Sequence, residues 1–173
     1  EKGIINVTFS RRYQQTGELQ ILSIHGGTAP NVVPAAACAK LACSQELAKR
    51  IAQLSAPKVH FTATEYGVFV EAEGISAHGS TPAQGENAIG RLILALDTLP
   101  FEGDIGEVIH FLASTLGMES DGKSAGIYLH DDVSGDTSLN WGTLDGDECS
   151  LSMKINYRYP VTKCYEDCAP TLD

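Results

Sequence analysis

Residues 151–158 read LSMKINYR, and apolar and polar side chains alternate at every position. Because successive side chains of a β-strand point to opposite faces of a sheet, this stretch predicts a strand with one buried face and one polar face. Arg158 lies on the polar face of that strand. Residues 59–63 and 68–72 alternate in the same way, with the turn-forming Gly67 between them, and predict a hairpin.

Three other stretches carry weaker signals. Residues 19–25 alternate loosely and end in Gly26-Gly27, which predicts a strand that runs into a turn. Residues 125–130 predict a further strand. The alanine-rich residues 35–42 have no periodicity that assigns them to a helix or to a strand.

Three amphipathic helices are predicted from the spacing of apolar residues. Ser44 is a good N-cap for the first helix. The second covers residues 86–99, and the third begins at Asp104, has Glu107 three residues on and ends before Gly117. The predicted buried stripes are Leu47, Ile51 and Leu54 in the first helix, Ile89, Leu92, Leu96 and Leu99 in the second, and Ile105, Val108, Ile109, Leu112 and Leu116 in the third.

Helices and strands are mixed along the chain, and hairpin-like strand pairs outnumber β-α-β crossovers. We therefore expect an α+β fold, with helices packed on one face of a mostly antiparallel sheet. A length of 173 residues is near the upper end of common single-domain sizes and allows a sizeable core.

The charge balance and the hydropathy argue against two classes of partner. The chain has 12 Lys and Arg against 22 Asp and Glu, a net charge of −10, and an acidic surface repels phosphate backbones. We therefore expect no nucleic-acid partner. No apolar run approaches the roughly 20 residues that span a bilayer, so we expect no membrane partner either.

The cysteines and the first residues bear on the cellular compartment. An odd number of cysteines without a secretory signal favours the reducing cytoplasm over a disulfide framework. The sequence begins Glu1-Lys2-Gly3 without an initiator Met, which predicts a fragment or a processed product. The five cysteines are Cys38, Cys43, Cys149, Cys164 and Cys168.

Neither the zinc-protease motif HExxH nor the dinucleotide-binding motif GxGxxG occurs in the sequence. His130-Asp131-Asp132 has an H-x-D spacing that can contribute to a metal site. Because such a site needs three or four ligands in a fixed geometry, we interpret this segment as a polar strand end followed by an acidic turn. Neither close pair of cysteines has CxxC spacing, and we predict no metal site in this chain.

Three residues are candidates for chemistry, and each has a plainer alternative. His78, flanked by Ala77 and Gly79, is sterically open and can donate a hydrogen bond to a developing oxyanion, or it is a loop histidine without a role. Asn31, between two prolines, is a positioned donor and acceptor, or it satisfies its own backbone. Arg158 has a planar guanidinium that suits the carboxylate of a free C-terminus, or it is an ion-pair residue.

Together, three segments resemble one known family. They are residues 26–34 (GGTAPNVVP), residues 76–89, which begin SAHGSTP and end GENAI, and residues 156–160 (NYRYP). They resemble the lid or dimerisation domain of the aminoacylase and carboxypeptidase-like zinc exopeptidases, and the nearest members are the PepV-type Xaa-His dipeptidases. The resemblance covers about residues 2–160, with the three motifs in the right order. Residues 130–142 also sit where the lid of that group has a similar strand and turn.

The resemblance implies a two-layer ferredoxin-like sandwich, built from two related halves, in which residues 35–42 form a strand despite their helical propensity. It implies that His78 reaches the scissile carbonyl of the substrate. Asn31 and Arg158 then hold the substrate, including its C-terminal carboxylate.

The resemblance also implies what lies outside this chain. Residues 1–173 are then an excised lid domain, inactive alone, whose tail after Pro160 runs on towards the catalytic domain of the same polypeptide. That catalytic domain binds two zinc ions and supplies the general-base glutamate, whereas the lid holds no metal. The complete protein is then a cytoplasmic metallopeptidase that hydrolyses dipeptides or short peptides.

Two alternatives come from a different class of protein. The chain is a stand-alone ferredoxin-like module that binds a small molecule, or it is a dimerisation scaffold without catalysis. The joint presence of Asn31, His78 and Arg158 favours the lid, since a regulatory module has no need to carry all three. A dimerisation scaffold predicts a broad exposed apolar edge and a stable homodimer.

Overall fold

The computed structural model describes residues 1–168. The strands are β1 (Gly3–Arg12), β2 (Gln20–Gly26), β3 (Ala36–Ala42), β4 (Val59–Thr64), β5 (Gly67–Glu73), β6 (His130–Asp131), β7 (Gly135–Asp136), β8 (Ser138–Gly146) and β9 (Ser150–Tyr159). The helices are α1 (Gln45–Ile51), α2 (Ala88–Leu96), α3 (Asp104–Thr115) and α4 (Tyr165–Cys168), with a 3-10 turn at Pro82–Gln84. The predicted domain, residues 1–173, extends five residues beyond this described part.

Seven strands form one antiparallel sheet in the order β1-β9-β8-β2-β3-β5-β4, and β6 pairs with β7 in a separate small hairpin. Helix α1 packs on β4 and β5, and α2 packs on β3 and β5 and contacts α3. This arrangement confirms the predicted α+β class with a large antiparallel sheet. The division into two ferredoxin-like halves stays a prediction, because the sheet is continuous. Among the helices of residues 1–168, none is long and apolar enough to cross a membrane.

The core lies between one face of the sheet and the helices α1 to α3. Alternate residues of β5 and β9 enter one cluster of buried apolar side chains with the inner faces of these helices. Each fully buried Leu or Ile side chain in such a core contributes about 1.5–3 kcal/mol. The inner residues of β9 are Leu151, Met153, Ile155 and Tyr157, as the alternation predicts. The opposite face of the sheet carries the polar residues.

The helix boundaries differ in detail from the prediction. The Ser44 side chain accepts a hydrogen bond from the Leu47 N–H at 3.3 Å, which confirms the predicted cap. Leu54 is not part of the buried stripe, because α1 ends at Ile51 and leaves Leu54 47% exposed. Asp104 is the first residue of α3 rather than its cap, which is Gly103.

Two of the weaker strand assignments have opposite outcomes. Within residues 35–42, which the pattern left unassigned and for which the resemblance implied a strand, Ala36–Ala42 form β3 between β2 and β5. The strand predicted at 125–130 is wrong, because Gly122 and Gly126 have φ values of 75° and 74° and fold this segment into turns. Only its last residue belongs to β6, so the polar strand end followed by a turn is confirmed for the segment that begins at His130.

Candidate functional site

The backbone segments that carry Asn31 and His78 lie against each other as an antiparallel bridge. The Val33 N–H donates to the Ala77 carbonyl at 2.9 Å, and the Gly79 N–H donates to the Asn31 carbonyl at 2.7 Å. A Cβ atom on residue 79 would lie 2.9 Å from the backbone of Asn31, so only glycine allows this approach. Two of the three predicted site residues are therefore held together by backbone hydrogen bonds.

The His78 imidazole is exposed and is oriented by its own loop. Its Nδ1 atom lies 2.6 Å from Ser80 Oγ and accepts the Ser80 backbone N–H at 3.3 Å. Because Nδ1 accepts, the neutral ring carries its proton on Nε2. His78 thus presents an N–H donor without needing a positive charge.

Arg158 lies half-buried on the polar face of β9. Its Nε atom donates to Asn156 Oδ1 at 3.0 Å, which fixes the plane of the guanidinium. Within residues 1–168, no carboxylate forms an ion pair with Arg158. The two terminal amino groups therefore have no acidic partner in the described part of the chain.

Two buried asparagines connect the loop of Asn31 to the strand of Arg158. Asn140 on β8 donates from Nδ2 to the carbonyls of Pro30 and Val32, at 2.7 and 2.9 Å, on either side of Asn31. Asn156 on β9 is the direct cross-strand partner of Asn140. Since paired residues share a face of the sheet, the loop is attached to the polar face two residues along β9 from Arg158. The structure thus brings the segments of all three predicted residues to one face.

The loop packs closely on β8 because two glycines face each other. The strand has an irregularity between Trp141 and Thr143, and Gly142 at this point approaches the backbone of Pro30. A Cβ atom on Gly142 would clash with that backbone. Gly27 has a φ of 71° and has no room for a Cβ beside the Gly142 carbonyl. Both glycines are required by close backbone contact.

Asn87 secures the other side of the site. Its Oδ1 atom caps α2 by accepting the N–H groups of Ile89 and Gly90 at 2.9 and 3.2 Å. Its Nδ2 group donates to the Trp141 carbonyl at 2.8 Å. The GENAI part of the second motif therefore has a structural role, since it fastens α2 to β8.

The hairpin at His130 forms a separate acidic cluster. His130 Nδ1 lies 2.7 Å from Asp136 Oδ1, and the Tyr128 hydroxyl donates to the same oxygen at 2.7 Å. The hydrogen bond that His130 makes to the Asp136 carboxylate raises the pKa of His130, and the hydrogen bonds that Asp136 accepts from Tyr128 and His130 lower the pKa of Asp136. Nowhere in residues 1–168 do three or more His, Cys, Asp or Glu side chains group so as to hold a metal ion. These residues do not fit a zinc centre.

Sequence reasoning missed the asparagines that build the site. Asn140 and Asn156 stand in the middle of strands and are buried, whereas asparagine is depleted in strands. For Asn156, which lies within the strand predicted at residues 151–158, that mismatch between residue type and strand was the available signal. Ser80 carried no comparable signal, because its contact with His78 depends on the conformation of the loop.

Comparison of the sequence with known proteins adds to the evidence from the fold and from the paired motifs on its polar face. No protein-family model matches the sequence. Over 167 residues the chain is 30% identical to the Beta-Ala-Xaa dipeptidase of Lactobacillus delbrueckii subsp. lactis. The aligned part is 92% of this chain and 36% of that enzyme, so the chain spans about a third of the length of its relative. The chain is homologous to part of a PepV-type dipeptidase, which confirms the resemblance that the three motifs predicted.

Proposed function

We propose that this chain is the lid domain of a dipeptidase, and that the catalytic domain occupies another part of the same polypeptide. The homology to part of a dipeptidase supports this proposal. The observation that carries it is the pairing of the Asn31 and His78 segments on the polar face that also carries Arg158.

His78 is the proposed transition-state donor. Its Nε2–H is available because Nδ1 is engaged by Ser80, and its exposed position lets it meet a substrate held by another domain. A donor of this kind stabilises the oxyanion that develops when the scissile carbonyl is attacked. The hydrogen bond strengthens only as charge develops, so it acts on kcat more than on KM.

Arg158 and Asn31 are the proposed substrate-holding residues. With Nε bonded to Asn156, the terminal amino groups of Arg158 form the edge that can take the two oxygens of a C-terminal carboxylate in parallel hydrogen bonds. Asn31 offers an exposed amide on the neighbouring loop. A dipeptide or short peptide with a free C-terminus fits this arrangement.

The zinc chemistry of such an enzyme belongs, in this proposal, to the catalytic domain. The described residues offer no metal cluster, so we assign zinc no role in the lid. The proposed compartment is the cytoplasm, because an odd number of cysteines suits a reducing compartment better than a disulfide framework.

Replacement of His78 in the complete polypeptide tests the proposal. His78→Ala is expected to lower kcat for a dipeptide by about 10²–10³, the usual cost of one oxyanion donor, with a smaller change in KM. The matched control is His110→Ala, because His110 is also exposed but lies on α3, with its Nδ1 atom 3.1 Å from Asp97 Oδ1. An unchanged kcat for His78→Ala would contradict the proposed role.

A dimerisation scaffold is the second candidate, and one surface favours it. Phe9 lies on β1, at the edge of the sheet, and Phe111 on α3 is 61% exposed. The two line an apolar groove of about 400 Å³. Sedimentation of the 173-residue chain at micromolar concentration separates the candidates, because only the scaffold requires a stable homodimer.

A further inference from the structure

We propose that Asn140 and Asn156 are positioning residues that set the Asn31 loop and Arg158 at a fixed separation for gripping a substrate carboxylate. This inference rests on the proposed function, because it concerns how the substrate-holding residues of the lid are placed. Neither asparagine needs to touch the substrate. Each acts through the group that it holds.

The two residues belong to a row of three asparagines that crosses three adjacent strands. Asn6 on β1 is the cross-strand partner of Asn156 on β9, and Asn156 is the partner of Asn140 on β8. We call Asn6, Asn156 and Asn140 the asparagine row. Asn140 is 0% exposed and Asn156 is 2% exposed. The row joins β1, the first strand of the chain, to β9 and β8, which are its last two strands.

Stability alone does not explain this choice of residues. Asparagine is depleted in strands, and burial of an amide is unfavourable unless its hydrogen-bonding groups are satisfied. The Oδ1 atom of Asn140 is buried and has no hydrogen-bond partner among the described residues. An apolar pair of similar volume would suit two adjacent strands at least as well. We therefore explain the two buried amides by the groups to which they are hydrogen-bonded, which are the Asn31 loop and the guanidinium of Arg158.

Asn140 holds the loop. Both hydrogen atoms of its Nδ2 group are donated, one to Pro30 and one to Val32. These carbonyls flank Asn31, so the backbone on both sides of Asn31 is tied to β8. The same loop carries the bridge to His78, and its position therefore fixes two of the three site residues.

Asn156 holds the guanidinium. Its Oδ1 accepts the Nε–H of Arg158 at 3.0 Å, and its Nδ2 donates to Asn6 Oδ1 at 2.8 Å. Because the Nε–H of Arg158 can only donate, the Asn156 amide faces it with its oxygen and turns its NH₂ group towards Asn6. Asn140 and Asn156 are direct cross-strand partners. The Asn31 loop and the Arg158 guanidinium are therefore both held by neighbouring residues at the same position of the sheet.

Kinetics of the complete polypeptide with a free dipeptide and with its C-terminal amide test the inference. Asn140→Leu and Asn156→Leu keep the volume and remove the hydrogen bonds. Each is expected to raise KM for the free dipeptide about tenfold and to reduce the preference for the free acid over the amide, with kcat changed less. A purely structural role would lower the active fraction, and hence the apparent kcat, at an unchanged KM. Wild-type KM and wild-type preference in both variants would overturn the proposal.

A conservative variant and a control sharpen the test. Asn156→Asp keeps an acceptor for the Arg158 Nε–H and is expected to retain most of the preference that Asn156→Leu loses. Ser152→Ala, on the same face of β9 and outside the row, is expected to behave as wild type. If Asn140→Leu does not fold, Asn140→Ser, which keeps one hydroxyl donor for the loop carbonyls, is expected to raise KM to a smaller extent. An Asn140→Ser protein with wild-type KM and preference would then contradict the role of Asn140.

Nuclear magnetic resonance of the 173-residue chain provides a readout that does not depend on activity. The Arg158 Nε–H signal is expected to exchange slowly with solvent in wild type and in Asn156→Asp, and at least tenfold faster in Asn156→Leu. Equal exchange in wild type and Asn156→Leu would overturn the positioning role even in an active enzyme. A complete polypeptide that hydrolyses no dipeptide would instead overturn the proposed function, while the exchange rates still decide whether the row holds Arg158.

Discussion

At the scale of single residues, Arg158 gives the most direct test of substrate recognition. Its terminal amino groups have no carboxylate partner in residues 1–168, and its Nε is held by Asn156. We expect the complete polypeptide to prefer a free dipeptide over its C-terminal amide by about ten- to a hundredfold in kcat/KM, which corresponds to about 1.5–3 kcal/mol for a charge-assisted hydrogen bond. Arg158→Ala should lose most of that preference, through a loss of activity on the free acid.

Arg158→Lys is the matched variant for this prediction. Lysine keeps the positive charge but cannot form two parallel hydrogen bonds or donate from a fixed Nε, so we expect it to be damaging as well. If wild type and Arg158→Ala discriminate acid from amide equally well, the carboxylate is held by another residue.

His130 provides a pH-dependent prediction at the same scale. The hydrogen bond and the charge of Asp136 raise its pKa above the ordinary value. A raised pKa in the folded state means that protonation stabilises the fold. This contribution is fully present below the unfolded-state pKa of about 6.5 and is lost as the pH rises through the folded-state pKa. His130→Gln should therefore destabilise the chain at pH 5.5 and have little effect at pH 9, as measured by urea unfolding.

The matched variant is Asp136→Asn, which removes the charge that raises the pKa. Titration of the imidazole signals by nuclear magnetic resonance should show a lower pKa for His130 in Asp136→Asn than in wild type. A wild-type His130 that titrates at or below the ordinary value would contradict the assignment.

The sequence predicts the candidate site residues His78 and Arg158 better than it predicts Asn140, which positions the Asn31 loop. His78 and Arg158 stand out locally, the first by its small neighbours and the second by the alternation of its strand. Asn140 acquires its role only because β8 brings it to Pro30, which lies 110 residues away in the chain. No local pattern encodes that contact, so the fold was needed to find it.

At the scale of elements, strict alternation of apolar and polar residues predicted strands more reliably than the secondary-structure propensities of single residues did. The alternation of β5 and β9 predicted both strands and their buried faces. In β3, which lies between β2 and β5, Ala37 and Ala39 are buried on the face of the sheet that packs against α2, and this packing overrides the helical preference of alanine. The strand predicted near Gly126 failed because a short apolar run between glycines carries no information on the sign of φ.

Asn87 tests how one side chain joins two elements. Asn87→Ala removes the N-cap of α2, which typically costs about 0.5–2 kcal/mol, and also leaves the Trp141 carbonyl without its donor. The control is Ser44→Ala, because Ser44 caps α1 but makes no bond to the Trp141 carbonyl. We expect Asn87→Ala to lower the free energy of unfolding by about 0.5–1.5 kcal/mol more than Ser44→Ala, as measured by urea unfolding.

A second variant separates the two functions of Asn87. Asn87→Asp keeps an oxygen for the cap and loses the donation to Trp141. Because the cap is kept, Asn87→Asp should lower the free energy of unfolding less than Asn87→Ala does. Equal costs for Asn87→Ala and Ser44→Ala would show that the bond to β8 adds nothing.

At the scale of the whole molecule, the site is a product of the complete sheet. Its residues come from the first half of the chain and from its last strand, and β8 and β9 bring them together. The first strand takes part through Asn6, which fixes Asn156. A piece that lacked β1 or β9 would keep much of the apolar core around α2 and lose the arrangement of Arg158. We therefore expect both β1 and β9 to be needed for the three site residues to be presented together.

Residues 1–168 offer only part of what peptide hydrolysis needs. In the proposed roles, His78 stabilises the oxyanion of the transition state and Arg158 binds the substrate carboxylate. Neither residue supplies an activated water or a nucleophile. We therefore predict that the 173-residue chain alone binds no zinc tightly and hydrolyses no dipeptide. Within the described residues the acidic side chains and histidines form no cluster of three or more that suits a metal ion, which is the physical reason for the first half of the prediction.

Elemental analysis after dialysis against zinc-free buffer, together with a dipeptide assay, checks this prediction. The complete polypeptide, treated in the same way, is the control and is expected to retain two zinc ions and to turn over substrate. Circular dichroism and cooperative urea unfolding must show that the isolated chain is folded, because an unfolded chain would be inactive for a trivial reason. Two zinc ions on the folded 173-residue chain, or measurable turnover by it, would mean that the chain carries its own catalytic centre and that the lid assignment is wrong.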